Sequence, residues 1–129
     1  MKRFDLSEYW SAIISGDYPA ISSFFLPEAH VYWHNTNECF TVDEFVRVNK
    51  VYPGLWKAEI QYELRIGEFN EELVICAVRV FSETSGRSFH CCSAIQLHGD
   101  LISVINEYWG EDGPPPEWRA EMKIGSPIE

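Results

Sequence analysis

The sequence predicts an α+β domain with helices first and antiparallel strands after, and three observations carry that prediction. Apolar residues recur at helical spacing up to about residue 50. From residue 57 to residue 109 they alternate with a period of two, and glycine-bearing turns cut this second part into strands. At 129 residues the chain is long enough for one hydrophobic core.

The helices are announced by their ends. Asp5 stands as an N-cap with Glu8 three residues later, and Phe4 and Tyr9 occupy the two positions of a hydrophobic staple. Leu6, Tyr9, Trp10 and Ile13 follow the i, i+3, i+4, i+7 rule, and Gly16 suits a left-handed C-terminal residue. Asp17 opens a second, shorter helix expected to bury Tyr18, Ile21, Phe24 and Phe25 and to stop at Pro27. A short strand is expected over 30–34. Thr41-Val42-Asp43-Glu44 is a capping box, Phe40 and Phe45 form a second staple, and the helix they begin is expected to end at Pro53-Gly54.

The strands follow from the change of period. In 57–67, Ala58, Ile60, Tyr62, Leu64 and Ile66 alternate with Lys57, Glu59, Gln61, Glu63 and Arg65, which predicts one long strand with a buried and a polar face. A strand over 73–81 is apolar on both faces except at Arg79. Strands over 88–97 and 101–109 follow the turns Ser85-Gly86-Arg87 and His98-Gly99-Asp100. Pro114-Pro115-Pro116 ends the regular structure, so residues 1–110 read as the domain and 111–129 as an acidic, Pro-rich tail. The tail reads either as a ligand for an aromatic groove or as an ordered extension. Docking of Trp118 on the body or on a dimer mate is preferred, because an exposed Trp lowers solubility.

Composition excludes several function classes. Twenty Asp and Glu against ten Lys and Arg give a net charge of −10 and a pI near 4.8, so neither nucleic acid nor a membrane surface is an expected partner. No apolar run has the length of a secretory leader or a membrane span, and a cytoplasmic location is expected. Cys39, Cys76, Cys91 and Cys92 form no C-x-x-C pair and read as reduced thiols. His30, His34, His90 and His98 lack ligand spacing, so neither a metal nor a cofactor is expected.

The element order, the ending Leu101-Ile102-Ser103-Val104-Ile105-Asn106-Glu107-Tyr108-Trp109-Gly110 and the segment Gly86-Arg87-Ser88-Phe89 resemble the SnoaL-like branch of the nuclear transport factor 2-like superfamily. That superfamily includes polyketide cyclases, ketosteroid isomerases, limonene-epoxide hydrolases and scytalone dehydratases. The resemblance covers about residues 5–110. It implies a cystatin-like roll, in which a curved, mostly antiparallel sheet wraps around three helices as a cone with an apolar cavity, and a homodimer packed sheet against sheet. The ligand it implies is a small, largely apolar molecule, with cofactor-free acid/base isomerase, cyclase or dehydratase chemistry as one outcome. A non-catalytic binding or dimerisation module with a filled cavity is the other.

Two charges stand out for chemistry. Arg79 lies in a strand that reads as buried on both faces and so needs a carboxylate partner. Glu107, the one charge in 101–109, is the natural candidate. Matched to the limonene-epoxide hydrolases, Arg79 falls on their Arg, Glu107 on their last-strand acid, and Trp33 and Asn35 on their neutral water-binding pair. Phe81 replaces their first Asp and breaks the epoxide-opening arrangement. What remains is Glu107 as a general base able to remove a proton alpha to a carbonyl, oriented by Arg79 and aided by His34 or Trp33. Trp33, Asn35, His90, Tyr9 and Trp109 are candidate ligand contacts. The competing reading makes Arg79–Glu107 a buried structural salt bridge.

Overall fold

Local side-chain chemistry starts both long helices. The computed structural model describes residues 3–52 and 54–128. Helix α1 (Leu6–Ser15) opens with the Asp5 carboxylate accepting from the Glu8 backbone N–H at 3.0 Å, and closes on Gly16 at φ 68°, a left-handed conformation that costs glycine little. Helix α3 (Val42–Lys50) carries the full capping box. The Glu44 N–H donates to Thr41 Oγ1 at 3.2 Å, and the Thr41 N–H donates to Glu44 Oε1 at 2.9 Å. Donation from Thr41, chiefly its backbone N–H, holds the Glu44 carboxyl below its ordinary range. The helix ends at Lys50, and the Pro53 half of the expected stop lies outside the described residues.

Six strands form one curved, unclosed sheet: β1 (Phe25–Trp33), β2 (Glu38–Thr41), β3 (Trp56–Ile66), β4 (Leu73–Ser82), β5 (Ser88–His98) and β6 (Leu101–Glu111). Their order is β2-β1-β6-β5-β4-β3, and every pair is antiparallel except β1 with β6. The concave face presents Val74, Cys76, Val78 and Val80 of β4, Ile95 of β5 and Ile105 of β6 to the helices, all of them buried. Leu6, Tyr9, Trp10 and Ile13 of α1 and Phe45 and Val46 of α3 complete the core.

The structure corrects the sequence in four places. Helix α2 (Tyr18–Ser22) is one turn shorter than expected and buries only Ile21, while Tyr18 is exposed and Asp17 makes no side-chain cap bond. Phe25 already belongs to β1, and Pro27 lies inside that strand instead of stopping a helix. The pairing of β1 with β6 is interrupted between Phe25 and His30, where a missing N–H does no harm.

The third correction concerns β3. Between Ile60 and Tyr62 its pairing with β4 slips by one residue, so Ile60 faces Val78 but Tyr62 faces Ala77. A one-residue bulge exchanges the two faces of everything beyond it. Tyr62, Leu64 and Ile66 therefore join Ala77, Ile75 and Leu73 on the convex face and are exposed. Arg65 turns inward, where it donates to the buried Glu72 at 3.2 Å and to the Phe4 carbonyl oxygen; Arg3 holds the other Glu72 oxygen at 3.0 Å. Phe81 shares the face of Leu73, Ile75 and Ala77 and is also convex-side.

The fourth is the tail. It continues without regular structure to a single turn, α4 (Glu117–Ala120), and Trp118 is 68% exposed, so it does not dock on the body. Among the described residues no helix is long and apolar enough to cross a membrane.

The capping box yields a direct prediction. Thr41→Ala removes the hydroxyl that satisfies an otherwise unpaired helix N–H, and is expected to lower stability by about 1 kcal/mol, measured by urea denaturation.

Candidate functional site

The site is built where β1 and β6 run parallel. That pairing sets Trp33 beside Glu107, and the β5–β6 hairpin sets Ser93 on its other side. Glu107 points into the cone and is 2% exposed. The Trp33 indole N–H donates to Glu107 Oε1 at 2.7 Å, and the Trp109 indole N–H reaches the same oxygen at 3.4 Å. Ser93 Oγ donates to Oε2 at 3.1 Å, and the Cys91 thiol lies 3.8 Å from that oxygen. Among the described residues no cation pairs with it. Burial pushes the Glu107 carboxyl up from its usual range, against the opposing pull of the Trp33, Ser93, Trp109 and Cys91 donors.

Arg79 is not the partner. Its row across the sheet runs Glu59–Arg79–His90–Gly110, whereas the row of Glu107 runs Cys76–Ser93–Glu107–Trp33. Cys76 and Arg79 are three positions apart on one strand, an odd number, so their side chains leave opposite faces. Arg79 lies half-buried on the convex face, with its guanidinium 4.3 Å from the Phe81 ring centroid and Nε 3.3 Å from Ser88 Oγ. The expected Arg79–Glu107 ion pair, functional or structural, is not made.

His34 and His90 are convex-side as well. His34 stacks on Tyr108 at 4.6 Å and 8°, and its Nε2 is 2.7 Å from Asn106 Oδ1. His90 Nδ1 pairs with the Asp112 carboxylate, which Ser88 also contacts. Slight burial opposes ionisation of Asp112, but these two hydrogen bonds and the Arg79 charge hold its carboxyl below the usual range. Tyr9 lies in the core beside Glu107, and among the described residues its hydroxyl has no hydrogen-bond partner. Burial first, and then the Glu107, Cys91 and Cys76 charges, push that hydroxyl well above its ordinary value.

Trp33, Asn35 and Trp109 do meet at a pocket of about 220 Å³. Six of its lining residues are aromatic: Trp10, Trp33, Tyr52, Trp56, Phe89 and Trp109. Trp109 is the hub, with ring centroids 6.5, 6.2 and 6.1 Å from Trp10, Trp33 and Phe89 and interplanar angles of 67°, 63° and 81°. Buried Trp10 and Trp33 form the floor, and exposed Asn35, Thr36 and Tyr52 form the mouth. Asn35 is fixed there by the Trp109 backbone N–H, which donates to its Oδ1 at 2.7 Å. Glu107 lies behind the Trp33 and Trp109 indoles and does not line the space.

The contributions of Trp10, Tyr52, Trp56 and Phe89 were missed, because an aromatic in a helix or strand reads as plain core until the cavity is known. Counting back from the His98-Gly99-Asp100 turn places Cys92, not Ser93, opposite Glu107. A slip between Gln96 and Leu97, however, moves the residue opposite Glu107 from Cys92 to Ser93.

No protein-family model and no curated protein sequence matches the chain. Solved structures do. A Kribbella flavida protein provisionally assigned as a ketosteroid isomerase superposes with a TM-score of 0.74 at 18% identity, over 95% of this chain and 87% of its own. An NTF-2 like protein of unknown function from Burkholderia xenovorans gives 0.71 at 19% identity, over 96% and 92%. A Catenulispora acidiphila protein with a ketosteroid isomerase-like fold, in complex with trimethylamine, gives 0.63 at 11% identity, over 80% and 82%. The chain thus has the nuclear transport factor 2-like fold.

The buried carboxyl has a measurable pH signature. With its value raised on folding, the native state holds a proton that the unfolded state gives up near pH 4.3, so stability falls as pH rises from there through the folded value. Glu107→Gln keeps an oxygen for both indoles and is expected to abolish that decline, as read by urea denaturation between pH 4.5 and about 8.

Proposed function

We propose that this chain, a protein of the nuclear transport factor 2-like fold, binds a small, largely apolar molecule in the aromatic pocket at the cone's mouth. The observation that carries the reading is the space itself: about 220 Å³ walled by six aromatic side chains, with Asn35, Thr36 and Asn49 as polar groups. Sites for drug-sized molecules run from roughly 300 to 1,000 Å³, so the ligand is smaller than those. The trimethylamine held by the Catenulispora protein of the same fold supports a compact, methyl-bearing guest.

Catalysis has weaker support than binding. A general base must come within hydrogen-bond reach of the proton it removes, and Glu107 has two indoles between its oxygens and the pocket. Its position fits a residue that orients Trp33 and Trp109. A module with a filled cavity is disfavoured by the open pocket. In a thermal-shift screen of small apolar molecules, hits are expected to raise Tm by several degrees, since a ligand at 100 times its Kd stabilises by about 2.7 kcal/mol. Ile14→Trp, which fills the pocket from α1, is expected to abolish those shifts. Persistence of the shifts in the variant would place binding elsewhere.

A homodimer through the convex face is part of the same proposal. The β3 bulge leaves Tyr62, Leu64 and Ile66 exposed there, with Tyr108 and Tyr32 also exposed. Light scattering is expected to give a dimer mass for the native chain and a monomer mass for Leu64→Glu.

A further inference from the structure

We infer that the pocket's ligand is an organic ammonium ion, held against the indole faces of Trp10, Trp33, Trp56 and Trp109 with the Glu107 carboxyl behind them. The inference rests on the binding reading above and adds the sign of the ligand's charge.

Four of the chain's five tryptophans line this one space. A neutral apolar guest needs only apolar walls, which aliphatic side chains supply equally well. An alkylammonium gains in addition from the negative faces of aromatic rings, most strongly from indoles. The ring angles of 63–81° around Trp109 are those of adjoining walls rather than a flat stack, so several faces can address one guest. Among the described residues no Lys, Arg or His lines the pocket to repel a cation.

Glu107 gives the arrangement its polarity. Trp33 and Trp109 both direct their N–H groups at Glu107 Oε1, and donation to a carboxylate pushes electron density into the rings whose faces the guest would meet. The contrast with the other buried glutamate is informative. Glu72 is neutralised by Arg3 and Arg65, whereas no ion pair among the described residues reaches Glu107. A cation in the pocket would lie one indole away from it. Asn35, Thr36 and Asn49 at the rim suit a hydroxyl or ester carried by the same guest. The net charge of −10 draws cations from a distance.

The titratable groups facing Glu107 are Tyr9 of α1, Cys76 of β4 and Cys91 of β5; from β1 it meets the non-titrating Trp33. Burial pushes Cys76 up to about 11, Cys91 further up, and Tyr9 well above its ordinary value, so none of these three ionises in the neutral range. Cation binding should therefore strengthen as pH rises and Glu107 ionises.

The test compares choline with 3,3-dimethyl-1-butanol, its uncharged carbon isostere, by calorimetric titration of the full chain from pH 5 to 8.5. Choline is expected to bind at least about tenfold more tightly, with an affinity that rises with pH while that of the isostere stays flat. Glu107→Gln is expected to lower choline affinity about tenfold and to remove its dependence on pH. If the variant does not fold, the pH profile of the native chain decides. Equal or tighter binding of the isostere, or choline binding indifferent to pH, overturns the ammonium assignment and leaves the pocket reading standing. Failure of choline alongside every apolar molecule of the thermal-shift screen overturns both.

Discussion

The carboxyl of Glu107 is the point on which the interior depends. It ties β1, β5 and β6 together through Trp33, Ser93 and its own strand, and it fixes the indoles that form one wall of the pocket. A carboxyl so deep costs several kcal/mol to desolvate unless its lone pairs are used, and here four side chains use them. The parallel β1–β6 pair makes this possible by placing Trp33 and Glu107 in register, so that a donor and an acceptor far apart in sequence meet without a loop. Trp10 of α1 then packs edge-on against Trp109, which carries the constraint from the sheet to the helical layer.

The rest of the sheet is shaped by small irregularities rather than by any further polar cluster. The slip in β3 turns Tyr62, Leu64 and Ile66 outward and Arg65 inward, and one extra residue thereby creates both an apolar convex face and the counter-ion for Glu72. The slip at the base of the β5–β6 hairpin selects Ser93, not Cys92, as the neighbour of Glu107. A serine there can donate a full hydrogen bond, which the weaker donor of a thiol does not match. Arg79 reads as a buried charge in search of a partner because its strand is apolar on both faces. The convex face proves to be apolar as well, and there the guanidinium lies over Phe81, near Ser88, without entering the cone.

Much of the fold was legible because its signals are local. The Asp5 cap, the Gly16 stop and the Thr41–Glu44 box each act within one helical turn, and the change of period near residue 57 marks the switch to strands whatever the strands later pack against. Glu107 stood out for a similar reason, as the one charge in an apolar strand. By itself the sequence determined the α+β class, the element order, the helix starts and that exceptional carboxyl. Tertiary structure decided which face each strand residue takes, that Glu107 is met by indoles and a serine instead of Arg79, and which aromatics enclose a space rather than fill a core. The physical reason is parity: a single bulged residue inverts the facing of all that follows, and its position is set by pairing with a neighbouring strand, which no local pattern records.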